Sequence, residues 1–128
     1  MTKAAPPATR PTAAELELLR VLWPLGPATV KQVHQLMQEE RAGVTYATIL
    51  RQMQIMHAKG LLTRDESERS HVYAPAQSQN ALQTSLLKDL IHKAFSGSGK
   101  SLVMAALRKH VTQEEREEIR KFLHKDKR

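Results

Sequence analysis

The sequence predicts a mainly α-helical fold with a small β-hairpin: a winged helix-turn-helix domain followed by a helical dimerisation region. Three observations predict it. Three short amphipathic patterns lie within residues 12–60, the second and third joined by a Gly-containing turn. Two short branched or aromatic runs follow at once, on either side of the polar stretch Asp65–Ser70. Three further amphipathic patterns fill residues 77–128, too little chain to enclose a core of its own. Helix-turn-helix followed directly by a hairpin is the winged-helix arrangement, and the hairpin tip is the wing.

Taken in order, residues 1–11 (MTKAAPPATRP) are small, Pro-rich and without a large apolar side chain, so they read as a disordered arm. Thr12-Ala13-Ala14-Glu15 is a capping box that opens the first helix. Leu16, Leu19, Leu22 and Trp23 form its buried stripe, Pro24 ends it, and Gly26-Pro27 makes the turn. A second box, Thr29-Val30-Lys31-Gln32, starts a helix lined by Val30, Val33, Leu36 and Met37. The winged-helix domain is thus predicted over residues 12–76.

The third helix, within Val44–Gly60, is the one the rest of the chain presents. Thr45 is its N-cap, and Gly60 sits where a helix stops in the left-handed conformation. At helical spacing Tyr46, Ile49, Leu50, Met53 and Met56 share one arc, and Ala47, Thr48, Arg51, Gln54 and Ala58 share the other. No acid occurs from Val44 to Gly60. Side chains that touch base edges need short reach, hydrogen-bonding capacity and no repulsion from phosphate, and this arc meets all three conditions. The predicted contacts with double-stranded DNA are Thr45, Tyr46, Ala47, Thr48 and Arg51, with Arg69 of the wing on the backbone or in the minor groove. Ile55 also falls on the exposed arc, where an apolar side chain should be covered by something.

Leu61–Arg64 and His71–Tyr73 form the hairpin, ended by Pro75; a hairpin this short must pack back on the helices. Ala76–Asn80 reads as a polar hinge. Beyond it Leu82, Leu86, Leu90 and Ala94 recur every four residues, widened by Leu87 and Ile91, until Ser96–Gly99 breaks the helix. Leu102, Val103, Ala106 and Leu107 mark the next helix, and Thr112–Glu115 caps a last one carrying Ile119, Phe122 and Leu123. A second copy of the chain is the simplest cover for these faces. Residues 77–128 are read as the dimerisation region, with Leu86, Leu90, Val103, Leu107 and Phe122 as its shared core.

Composition narrows the function classes. The net charge of +7 favours an anionic partner, nucleic acid first. Its distribution does not mark the reading surface: residues 1–76 carry nine Lys/Arg against seven Asp/Glu, and residues 77–128 carry eleven against six. With no cysteine, disulfides, thiolate metal sites and a Cys nucleophile are excluded. None of the six histidines forms an i, i+4 pair with another, and no metal or other cofactor is expected. Gly97-Ser98-Gly99-Lys100-Ser101 resembles the end of a phosphate loop, but Ala94 holds the place of its first Gly and a helix precedes it. No nucleophile–base pair or carboxylate dyad points to an enzyme. No apolar run approaches a membrane span, so a soluble cytoplasmic protein is expected.

Three stretches, Thr12–Trp23, Thr45–Leu62 and Arg69–Pro75, together resemble the penicillinase-repressor family, the BlaI/MecI repressors. The specific pieces are Ala14-Glu15-Leu16-Glu17 leading to Leu22-Trp23, Thr48-Ile49, Lys59-Gly60-Leu61, and Arg69 with Val72–Pro75. The resemblance runs from about Thr12 to Leu123. It implies a homodimeric winged-helix repressor on a palindromic operator, as of antibiotic-response genes, released when a membrane sensor-protease triggers cleavage in the C-terminal region. Against the family pattern, Ala47 stands where some members have Lys, Arg51 where a small Thr is found, Ile55 for a frequent Arg and Glu68 for a wing Gly. The resemblance therefore carries over a mechanism without its operator sequence. Copper-responsive relatives carry C-terminal cysteine pairs, and this chain has none. The family's cleaved bond, aligned through Leu102-Val103, falls between Ala105 and Ala106, which offer a protease no large side chain. A reading from another class is a winged-helix adaptor that binds proteins without specific DNA recognition; a small-molecule-sensing regulator ranks third.

Overall fold

The computed structural model describes residues 10–125; residues 1–9 of the predicted N-terminal arm lie outside them. Six helices and two strands follow in the order α1 (Ala13–Leu25), α2 (Val30–Glu40), α3 (Tyr46–Ala58), β1 (Leu62–Asp65), β2 (Val72–Pro75), α4 (Gln79–Ala94), α5 (Gly99–Lys109) and α6 (Gln113–Lys125). The chain forms two compact units, one ending at Leu82 and one starting at Gln83.

Local chemistry starts each helix of unit 1. The capping boxes Thr12/Glu15 and Thr29/Gln32 are both closed reciprocally, and Thr45 accepts from the Thr48 amide at 3.1 Å. Pro24, expected to end α1, lies inside its last turn. The helix stops two residues later, where the Gly26 N–H donates to the Leu22 carbonyl at 2.8 Å. Proline forfeits a single intrahelical bond there, on an exposed face, and α1 continues one residue past it. The buried face of α1 also differs from the expected stripe. Leu18, Leu19, Val21 and Leu22 are buried, whereas Leu16 and Trp23 lie at the edge. The cause is that α1 packs against α2 on one side and β2 on the other, which widens its covered arc.

The core of unit 1 joins Leu18, Leu19 and Leu22 of α1 to Val33 and Met37 of α2 and Ile49, Met53 and Met56 of α3. Each such burial stabilises by about 1.5–3 kcal/mol. Gly43 turns α2 into α3 at φ 93°, and the His34 ring Nε2 meets the Val44 carbonyl at 2.9 Å, so the turn is braced from α2. Gly60 takes the expected left-handed conformation, φ 86°.

The hairpin is antiparallel, Leu62 opposite Pro75 and Asp65 opposite Val72. Pro75 is therefore the last residue of β2 rather than the residue after it, a place where a missing N–H is tolerated. What docks the hairpin is a bridge outside it. Ala28 and Tyr73 exchange both backbone hydrogen bonds, at 2.9 and 2.8 Å, so the α1–α2 loop adds a third edge to the sheet. Tyr73, Leu61 and Leu62 are buried, and the Trp23 indole donates to the Gln77 carbonyl at 3.0 Å.

One ion pair closes unit 1 across its length. Glu15, almost fully buried, receives Lys59 Nζ at 2.7 Å and also accepts from the Thr12 amide. Burial alone raises its carboxyl pKa, but Lys59 and Thr12 outweigh burial and hold it below the ordinary value. Lys59→Met should cost about 2 kcal/mol at neutral pH, because it leaves Glu15 without its cation. A lowered carboxylate contributes stability above its unfolded pKa of about 4.3 and loses it as pH falls through the folded value. The difference in urea stability between the two proteins should therefore be largest at neutral pH and shrink as the pH is lowered through the carboxylate range. Equal stability at pH 7 would show that the pair contributes nothing.

In unit 2, α4 breaks after Ala94. The Gly97 N–H returns to the Ile91 carbonyl at 2.9 Å, and the Ser98 side chain caps α5 at 3.0 Å. Gly97 and Ser98 thus lie in the helix–helix connector expected from the failed phosphate-loop spacing, while Gly99-Lys100-Ser101 form the first turn of α5. Thr112 and Glu115 close a capping box at the start of α6, and the Arg116 guanidinium reaches back to the Leu107 carbonyl of α5.

Candidate nucleic-acid interface

Every residue of α3 follows from its N-cap and its turn repeat, so the exposed arc is set once Ile49, Met53 and Met56 are buried. Ala47, Thr48, Arg51, Gln54, Ile55 and Ala58 all face outward. Arg51 forms no ion pair among the described residues. Thr45 has its hydroxyl committed: it accepts from the Thr48 amide and donates to Thr48 Oγ1 at 2.9 Å. The Thr48 O–H is left free to donate. Thr45 accordingly orients Thr48, and Thr48 is the group aimed outward.

Tyr46, expected on the buried arc, is about half exposed. It is the first residue of α3, with no preceding turn to cover it, and its ring stands edge-on to His34, centroids 5.9 Å apart. That exposure puts it into a cleft of about 220 Å3. The cleft lies between the first turn of α2 (Thr29, Val30, Lys31), one flank of α3 (Tyr46, Leu50, Gln54) and the wing (Arg69, Ser70, His71). Tyr46 and Arg69, chosen separately from sequence, therefore meet there, while Thr48 and Arg51 lie outside the cleft lining on the adjacent arc.

The wing spends two of its three acids on itself. Arg64 holds Glu66 through Nε at 2.7 Å and keeps its carboxylate below the ordinary range. Asp65 accepts from the Ser67 amide at 2.9 Å and is lowered by that bond. Arg69 makes no ion pair among the described residues.

The family model described as penicillinase repressor matches residues 11–125, nearly the whole sequence. The chain belongs to the penicillinase-repressor family. Membership places it in a regulatory family of the transcriptional-repressor type. A comparison with curated proteins finds no match. Among the described residues no helix of this family member is long and apolar enough to cross a membrane, and no cluster of three metal-liganding side chains forms.

Sequence reading of the penicillinase-repressor chain missed Lys31 and put Gln54 on the exposed arc without naming it a contact; both line the cleft with Arg69. The signal for Lys31 was present. It stands two residues after the N-cap Thr29, where a cation and the free amides of a helix start face the same way.

Unit 2 carries the other predicted set. From Gln83 onward no described residue is fully buried. Leu90, Val103 and Phe122 are largely exposed, Phe122 by 65%, while Leu86 and Leu107 are half-buried. Of the five only Leu90 lines the apolar groove of this unit, beside Leu87, Phe95, Leu102, Ala105 and Ala106. Leu87, Phe95 and Leu102 are the large apolar groove residues absent from the predicted set.

Proposed function

We propose that this chain is a sequence-specific repressor that binds double-stranded DNA as a homodimer on a palindromic operator. One observation carries the reading: an acid-free helix presents Thr48 and Arg51 on its exposed arc, beside a cleft edged by Lys31 and Arg69. Cations and helix-start amides in the cleft suit one sugar–phosphate strand, and the arc suits base edges in the major groove. Tyr46 and Ala47 sit at the junction of the two. The exposed apolar faces of α4, α5 and α6 support a second copy as partner, and two-fold symmetry then calls for two half-sites. Selection from a randomised duplex pool tests the reading. It should return a palindrome whose two protected half-sites lie about one or two helical turns apart. A protein that retains random duplex as well as any selected sequence would instead be the adaptor.

Release spares the bond between Ala105 and Ala106. Both residues are half-buried in the middle of α5 and line the groove, so cutting there requires local unfolding first. Two alanines also favour the helical state. Fragments recovered from cells exposed to a cell-wall antibiotic, with termini determined by mass spectrometry, should include none beginning at Ala106. Such a fragment would overturn the prediction and place helix exposure above side-chain identity.

A further inference from the structure

We infer that Ile55 is a specificity residue of the reading helix, packing on the C5-methyl group of a thymine in the major groove. This rests on the DNA-binding reading above. Ile55 is 42% exposed although it lies within α3, one turn before the helix ends. Four residues separate it from Arg51 and seven from Thr48, so at 100° per residue the three share one arc. Ala47 and Ala58 also face out and carry only a methyl group each, which lets a groove floor approach the helix closely enough for a short aliphatic side chain to touch it.

The occupant follows from chemistry. An isoleucine left in water forgoes burial that would stabilise a complex, so an apolar partner is favoured. The floor of the major groove offers one such group, the thymine methyl; the other base edges and the phosphates are polar. Arg51, the lone charge of this arc, stands one turn away with no acid of its own helix beside it, so the partner must set an acceptor-rich or anionic group next to an apolar one. Duplex DNA satisfies both residues at once. The rise of 1.5 Å per residue puts Ile55 about 6 Å along the axis from Arg51, close to two base-pair steps. The thymine should therefore lie within about two base pairs of the base that Arg51 reads.

The test takes the sequence selected by the full-length protein and replaces its thymines one at a time with deoxyuridine, which removes only the methyl group. One thymine per half-site should be sensitive, losing about fourfold in affinity, the value of one buried methyl at ~0.8 kcal/mol. Ile55→Ala should bind the thymine and uracil versions equally while keeping wild-type affinity for random duplex. If no thymine is sensitive, or if sensitivity persists in Ile55→Ala, the inference is overturned and specific binding stands. If selection returns no preferred sequence, the functional reading itself fails and takes the inference with it.

Discussion

Arg51→Ala is expected to weaken binding to the selected operator about ten- to a hundredfold while changing random-duplex binding only slightly. The asymmetry is what identifies base readout. A guanidinium that bridges both acceptors of a guanine discriminates by about 1–3 kcal/mol against other bases. A guanidinium on phosphate contributes to every sequence alike through counterion release. Arg51 is suited to the first role because it stands on the exposed arc without an acidic partner among the described residues, and because Thr48 and Ala47 before it are short. Fluorescence anisotropy at several salt concentrations separates the roles. A base contact lowers operator affinity with little change in the random-duplex salt slope, whereas a phosphate contact lowers both affinities equally and reduces that slope by about one. Arg51→Lys keeps the charge and loses the rigid fork, so it should leave random binding at the wild-type level and still show part of the operator loss.

The features of this interface that were legible in the sequence are those governed by rules three or four residues long. Thr12 with Glu15, Thr29 with Gln32 and Thr45 with Thr48 are each caps of that span, and each forms. The arc of α3 follows from one cap and the helical repeat. Illegible were the contacts that depend on distant parts of the chain. Lys59 reaches Glu15 across 44 residues, and nothing near either residue announces the other. The Ala28–Tyr73 bridge, which fixes the wing against the helices, joins a loop to a strand. Without it the cleft shared by Lys31, Tyr46 and Arg69 could not be inferred, because periodicity placed Tyr46 on the arc of Ile49 and Met53 and assigns an angle to a residue but no neighbour.

The same limit applies in unit 2. Periodicity found the apolar stripe of α4 yet did not show which of its leucines would face α5. Leu87 and Leu90 line the groove together with Leu102, whereas Leu86 is half-buried and outside the groove lining. Leu82, counted with the stripe, is buried as the last residue of unit 1. A repeat of four residues cannot tell an internal contact from one made by a second molecule.

That distinction gives Leu90→Glu its weight. Leu90 is 48% exposed in the single chain and lines the apolar groove, so a carboxylate there is solvated in a monomer and desolvated in a dimer. Desolvating a carboxylate costs several kcal/mol, of which Arg108, Lys109 and His110 in the groove lining offset a part, so the dimer dissociation constant should rise about ten- to a thousandfold. Sedimentation should then find a monomer with the N-terminal fold intact, since Leu90 lies in unit 2. Lys88→Glu supplies the control. It changes charge further on an exposed residue two positions away, which helical spacing turns to the opposite side of α4, and it should stay dimeric. On DNA the monomer loses the gain from engaging two half-sites at once, about 10²- to 10⁴-fold. Its footprint should shrink to unstable single half-sites. A Leu90→Glu protein that remains dimeric would move the interface off this groove, toward the exposed Phe122 and Leu123 of α6. A monomer that binds the operator as tightly as wild type would remove dimerisation from the mechanism altogether.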